Sequence, residues 1–214
     1  MRVFAFAAAA LLLAGCASSG TPKIRGPEPA EEKQVRDALT PLLTVSGICR
    51  GPQDGCAVLL GVWPFRRIYL AVGPDPRYKF ALEVTTGALR NLDPDELQTA
   101  LAHELGHVEL GHFATREARR EAERKTGQDG KVDPQTIAQN RTYDRDEEIA
   151  ADRYAVELLD KLPGPPGHGC ASVMNLIERI DLERLRPAWS SWLSDHPTPG
   201  VRLAALQEIC PKRP

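Results

Sequence analysis

The sequence predicts a mostly helical α+β fold with a small β-sheet beside one central helix. Two observations indicate this class. Strand-like apolar runs lie together between residues 57 and 84, whereas helical spacing of apolar residues dominates from residue 94 onward. The predicted strands cover Ala57 to Val62, Arg67 to Val72 and Phe80 to Val84. We expect residues 31–214 to form a single domain, because a segment of this length can bury one core.

The first fifteen residues have the form of a secretory signal peptide. Arg2 precedes an apolar run over residues 3–13, which is shorter than the ~20 residues needed to cross a bilayer. The run ends in Leu-Ala-Gly-Cys, which resembles a bacterial lipobox, in which Cys16 is lipidated and becomes the first mature residue. We expect residues 16–30 to be a tether and the chain to lie in the periplasm. The residues after Cys16 favour the outer membrane by analogy; the alternative is ordinary secretion.

Four further cysteines, an even number in an exported chain, suggest two disulfides. Cys49 and Cys56 flank a turn-rich loop that suits local closure, and this pairing would leave Cys170 with Cys210. Four cysteines allow three connectivities. Zinc ligation by these cysteines is the alternative, which the lack of a CxxC spacing disfavours.

The central helix is the best-defined element in the sequence. Asp93 fits an N-cap, Pro94 the first helical position, and Glu96 the partner of a capping box. The spacing predicts a helix from Pro94 to Phe113, with a buried face made by Leu97, Leu101, Leu105 and Val108.

Less strongly marked elements surround it. We expect a charged, solvated helix extension from Thr115 to Lys125, a loop from Gly127 to Pro134 that borders the cleft, and a break at residues 163–167. Trp189 and Trp192 are expected to pack the tail onto the core. Further helices are predicted over Glu31 to Leu43, from about Asp146 onward, over Ala171 to Leu185, and over Pro199 to Ile209.

The central helix carries an HExxH motif. His103 and His107 are four residues apart and therefore share one helix face, where both imidazoles can bind one metal ion. Catalytic zinc takes three protein ligands and leaves a position for water. We expect one Zn²⁺ per chain, with Glu104 as the general base that takes a proton from the attacking water.

The expected third ligand lies in the stretch that begins at Asp146. Glu148 and Asp152 are four residues apart, so Glu148 can bind the metal while Asp152 accepts a hydrogen bond from a ligand histidine. Glu147 is the competing acid, but no partner lies four residues after it. Asp146 and Glu147 are also consistent with an acidic helix N-terminus. His112 is interpreted as a helix-end residue.

Residues 84–89, 95–97, 102–107 and 111–112 together resemble the HtpX-like and Oma-like zinc metallopeptidases, which form one peptidase family with the prenyl-protein endopeptidases. The resemblance covers about residues 60–207. It implies a minimal gluzincin-like domain with a small sheet beside the active-site helix. Its E-x-x-x-D motif matches Glu148 and Asp152, and its S-x-H-P motif matches residues 194–197, with Arg202 following. By that similarity His196 lines the cleft and stabilises the oxyanion.

These expectations converge on a zinc endopeptidase of the cell envelope, and the family resemblance implies that its substrates are unfolded or misassembled proteins. An extended peptide would add to a sheet edge, for which the strand from Phe80 to Val84 is the predicted site. The formal net charge of −2 is too small to indicate nucleic-acid binding. The alternatives are a lipid-anchored assembly or chaperone factor that holds clients without cleaving them, and a latent peptidase blocked by the Gly127 to Pro134 loop or by His196.

Overall fold

The computed structural model describes residues 6–7, 23–49, 58–66, 68–126, 134–183 and 199–210. It confirms the α+β class, with helices predominating over one small sheet. The elements follow in the order β1 (Phe6–Ala7), α1 (Pro29–Ser46), β2 (Val58–Trp63), β3 (Leu70–Asp75), β4 (Tyr78–Thr85), α2 (Thr86–Asn91), α3 (Pro94–Glu109), α4 (His112–Thr126), α5 (Pro134–Leu159), α6 (His168–Glu183) and α7 (Pro199–Gln207).

The sheet has the strand order β1-β2-β4-β3. β2 runs parallel to β1 and β4, whereas β3 is antiparallel to β4, with Leu82 of β4 opposite both Leu60 and Val72. The prediction that Phe80 to Val84 forms a sheet edge is therefore wrong, because β4 is paired on both sides and β3 ends the sheet. β1 consists of two residues of the predicted signal peptide, so cleavage before Cys16 would leave three strands.

α3 is the central helix, and it contacts α1, β3, α5 and α6. It begins with the predicted capping box: Asp93 accepts a hydrogen bond from the Glu96 N–H, and Glu96 accepts one from the Asp93 N–H, both at 2.9 Å. Leu97, Leu101 and Leu105 are each at most 1% exposed. The apolar spacing of the sequence is thus realised as a helix that is buried over most of its length.

The predicted continuous helix to Phe113 is interrupted. α3 ends at Glu109, Gly111 adopts a φ of 68°, and His112 begins α4. A glycine in the left-handed region is the usual end of an α-helix, because it carries no Cβ to clash there. The chain consequently changes direction immediately before His112.

α5 begins at Pro134, well before the acidic triplet. Asp146 and Glu147 therefore lie inside the helix, and their interpretation as an acidic helix N-terminus is wrong. α6 is joined to the residues that follow α7 by a disulfide between Cys170 and Cys210, the pairing that the sequence-based prediction left for these two cysteines. Cys49 is also disulfide-bonded, while its expected partner Cys56 lies outside the described residues.

In the described ranges, no helix combines the length and the apolar character that a membrane span requires.

Candidate metal centre

Three side chains from α3 and α5 converge at the contact between the two helices. His103 Nε2 lies 3.1 Å from Glu148 Oε2 and 3.1 Å from His107 Nε2, and His107 Nε2 lies 3.3 Å from Glu148 Oε1. The three residues are at most 3% exposed. One ligand atom from each lies within 4.8 Å of the others, an arrangement that could hold a metal ion.

The chemistry of this donor set fits zinc. Two imidazole nitrogens and one carboxylate oxygen are a ligand set of catalytic zinc sites, which keep one position for water. Helical spacing supplies the two histidines from one face of α3, and the packing of α5 supplies the acid. The predicted ligand trio is therefore brought together, whereas Glu147 points to a different partner.

Asp152 lies behind His103, on the side away from Glu148. Its Oδ1 is 2.9 Å from His103 Nδ1, and its Oδ2 accepts a hydrogen bond of 2.7 Å from Arg202 Nε. Asp152 and Arg202 are 1% and 4% exposed. The carboxylate can thus fix the ring orientation and tautomer of His103, in the position expected for it, while Arg202 of α7 balances its buried charge.

His107 has an equivalent neighbour in His112. The two Nδ1 atoms are 2.8 Å apart, and the rings meet edge to face with centroids 5.0 Å apart. His112 is only 8% exposed. The sequence indicates a helix-end residue at His112 and does not predict this contact. The contact arises because one helix ends before Gly111 and the next begins at His112.

Glu148 is contacted from α4 by Arg116. The guanidinium donates from Nη2 to Glu148 Oε1 at 3.0 Å and from Nε to Glu147 Oε2 at 2.7 Å. The sequence predicts a charged, solvated helix extension from Thr115 to Lys125, but Arg116 within it is half-buried and reaches the metal centre. Glu147 thus binds a guanidinium, and Glu148 faces the histidines.

Glu104 lies beside the three ligands without joining them. It is 5% exposed and lines a cavity of about 90 Å³ whose other walls include His107, Arg116 and the β3 residue Val72. Its carboxylate accepts a hydrogen bond from the backbone of Val72. Glu104 therefore occupies the junction between the ligand set and the end strand of the sheet.

Burial and neighbouring charges shift the ionisation of these groups in different directions. Burial lowers the pKa of His103, but its hydrogen bonds to Asp152 and Glu148 outweigh this effect and raise the pKa to about 9. Burial lowers the pKa of His107 to about 4. Burial raises the pKa of Glu104 to about 7, with a further contribution from the Glu148 charge.

Asp152 shows the opposite balance. Burial raises the pKa of its carboxyl, but the Arg202 charge and the hydrogen bonds from Arg202 and His103 lower it to about 2. Asp152 is therefore a carboxylate at neutral pH, as an acceptor for the His103 N–H must be.

Three of the residues around the centre were not predicted to contact it: His112, Arg116 and Arg202. For His112 the sequence does hold a signal, since a glycine directly before it marks a helix end. Other expected features, namely His196, Cys16, residues 127–133, Trp189 and Trp192, lie outside the described residues.

The region that contains α3 is similar to a known peptidase family. The family model described as Peptidase family M48 matches residues 79–125, which include β4 from its second residue, α3 and most of α4. No curated protein matches the chain. Among solved structures, that of S. mikatae Ste24p is similar, with a TM-score of 0.51 and 17% identity over 87% of this chain.

The likeness to Ste24p concerns the fold, and this chain covers 52% of the Ste24p chain, about half its length. The family match contains His103, Glu104 and His107, while Glu148 is added by the tertiary structure. The chain is thus similar to peptidase family M48 over residues 79–125 and to Ste24p in its fold.

Proposed function

We propose that the chain is a zinc-dependent endopeptidase of the bacterial cell envelope that hydrolyses unfolded or misassembled envelope proteins. The observation that carries the peptidase assignment is the convergence of His103, His107 and Glu148 with Glu104 beside them. Four groups of these types, buried at one point, have the composition of a hydrolytic zinc centre.

A zinc ion held by His103, His107 and Glu148 would supply Lewis acidity, which would make the attacking water more acidic. Glu104 is the only one of the four groups outside the ligand set, and it faces the cavity. It accepts the proton that water loses on attacking the peptide carbonyl, and it passes that proton to the departing amine nitrogen. By the family resemblance, His196 would stabilise the negative charge that develops on the carbonyl oxygen.

β3 provides the surface for an extended substrate. Tyr69, Leu70, Ala71 and Val72 line the same cavity as Glu104 and His107. β3 is hydrogen-bonded to β4 on one side and lies at the end of the sheet order, so its other side faces the centre. A peptide that pairs with such an edge is held by backbone hydrogen bonds, which place its carbonyls without requiring one particular side chain.

The envelope location rests on the sequence. The apolar run before Cys16 and its lipobox-like ending support lipidation of Cys16 and attachment to a membrane, by analogy the outer membrane. A tether over residues 16–30 would then present the cleft to proteins on the periplasmic side.

Degradation of casein by the purified, zinc-loaded chain tests the proposal, beside Glu104→Gln with its zinc content measured. We expect cleavage by the parent and none by Glu104→Gln at equal zinc content, because the amide cannot accept the proton. Activity in Glu104→Gln would disprove the mechanism. A zinc-bound but inactive parent would favour a latent enzyme or a client-holding factor.

A further inference from the structure

α4 contacts two of the three expected metal ligands, each through one side chain of its first two turns. His112 meets His107 on the side away from the ligand set, and Arg116 meets Glu148. The remaining ligand, His103, has its own partner in Asp152 of α5. α4, which begins after the HExxH segment, therefore supports His107 and Glu148, the two expected ligands that Asp152 does not contact.

The hydrogen bond between His107 and His112 has a defined direction once a metal is bound. His107 Nε2 faces His103 Nε2 and Glu148, so Nδ1 carries the proton of the neutral ring. His112 Nδ1, 2.8 Å away, then accepts that proton's hydrogen bond. Such contacts fix the tautomer and orientation of a ligand imidazole, and their loss costs ~10–100-fold in metal affinity.

Arg116 acts on the carboxylate. Its Nη2 donates to Glu148 Oε1, while Glu148 Oε2 is the oxygen nearest His103 Nε2, at 3.1 Å. Glu147 accepts from Nε of the same guanidinium at 2.7 Å and is 8% exposed. The planar guanidinium, held by both acids, therefore fixes the side-chain angle of Glu148.

α4 is also attached by packing, since Phe113 is half-buried against the core. Glu117, Ala118 and Glu121 are exposed, and the helix joins α3 through Gly111 at a φ of 68°. We propose that α4 retains the metal in this protein, with His112 and Arg116 as positioning residues that hold His107 and Glu148 in their binding orientations. This inference rests on the metal centre of the proposed function but concerns affinity for the metal, not cleavage.

Zinc affinity, measured by competition with a chromophoric chelator on the purified full chain, tests the proposal. His112→Leu removes the acceptor, whereas His112→Asn keeps an oxygen close to the position of Nδ1. We expect His112→Leu to bind zinc ~10–100-fold more weakly and His112→Asn to recover most of the affinity. The visible spectrum of bound Co²⁺ should change in the leucine variant only.

Thr99→Val is the matched control. Thr99 is 3% exposed on α3 and its hydroxyl bonds only the Asp95 carbonyl among the described contacts, so this change removes a buried hydrogen bond without touching a ligand. It should lower the melting temperature and leave zinc affinity unchanged. Equal affinity losses in Thr99→Val and His112→Leu would show a general packing effect and overturn the proposal.

Arg116→Met provides a second test at a half-buried position, where folding depends less on the side chain. We expect weaker zinc binding in Arg116→Met. Arg116→Lys should lose less zinc affinity, because lysine keeps the positive charge but lacks the planar guanidinium that can donate to two acids at once. If either His112→Leu or Arg116→Met bound zinc with the affinity of the parent, the proposed role of α4 would be rejected, but the metal centre itself would not. A parent chain that binds no zinc rejects the proposed metal centre as well.

Discussion

Gly106 of α3 and Ala151 of α5 lie in direct backbone contact. A Cβ atom on Gly106 would lie 2.9 Å from Ala151 Cα and 3.0 Å from its carbonyl oxygen. The absence of a side chain at Gly106 is therefore what allows the two helices to approach. Because Ala151 lies between Glu148 and Asp152 in sequence, this approach sets the distance from both acids to the histidines of α3.

Replacement of Gly106 by alanine should separate the helices. Overpacking of this kind costs ~1–3 kcal/mol in folding free energy, and the displacement of Glu148 should also weaken zinc binding. Urea denaturation and zinc titration measure the two effects. Gly200→Ala is the control, since a Cβ there meets nothing within 4 Å. A Gly106→Ala variant with parent-like zinc affinity would contradict this account of the helix contact.

Loss of the Arg202 guanidinium should destabilise the metal-free protein strongly. Arg202→Leu removes the guanidinium that donates to the 1% exposed Asp152 carboxylate, and breaking a buried pair in this way costs ~3–5 kcal/mol. The exposed pair between Arg153 and Glu208, with its 3.2 Å contact, is the comparison. Arg153→Met should cost at most ~1 kcal/mol. Similar free energies of unfolding for the two variants would contradict the structural role of Arg202.

Isosteric changes of the neighbouring acids Glu147 and Glu148 should show which of the two binds the metal. Glu148→Gln replaces the oxygen donor that faces His103 and His107, so we expect most of the bound zinc to be lost. Glu147→Gln changes an acid that contacts Arg116 and should retain near-stoichiometric zinc. Metal analysis after gel filtration distinguishes them, and a zinc-replete Glu148→Gln variant would move the ligand to another acid.

The metal-free protein should become less stable as the pH rises from about 6.5 to 9. Between about pH 4.5 and 6.5 the raised pKa of Glu104 is opposed by the pKa of His107, which is lowered from 6.5 to about 4, so the two effects largely offset each other. Glu104 has its pKa raised from 4.5 to about 7 and His103 from 6.5 to about 9, so the folded state holds protons that the unfolded state has lost. For Glu104 and for His103, the contribution to folding stability is fully present below the pKa that the group has in the unfolded state. It is lost once the pH has risen above the pKa that the group has in the folded state.

Urea denaturation in a chelator, at intervals across this range, measures that slope. Glu104→Gln removes the Glu104 contribution, so the stability of this variant should rise between about pH 4.5 and 6.5, where the lowered pKa of His107 then acts unopposed, and should still fall between pH 6.5 and 9. If the parent and Glu104→Gln showed the same slope below pH 7, the raised pKa of Glu104 would be wrong.

The features that could be predicted from the sequence alone depend on interactions between residues that are close together along the chain. The capping box at Asp93, the buried face of α3 and the four-residue spacing of His103 and His107 all depend on residues within one or two helical turns. The same spacing related Glu148 to Asp152. Each of these relationships is fixed by helix geometry, so each could be predicted before any packing was known.

Tertiary packing decided the features that depend on which elements become neighbours. The alternation of apolar and polar residues predicts which side chains of a strand face the core, but it does not predict the order of the strands in the sheet. Only the structure therefore showed that β3, and not β4, is the end strand of the sheet beside the metal centre. The rotation of α5 against α3 selected Glu148 over Glu147. The contact of His112 with His107 follows from the helix break at Gly111. The contacts of Arg116 with Glu148 and of Arg202 with Asp152 follow from the packing of α4 and α7, which brings together residues far apart along the chain.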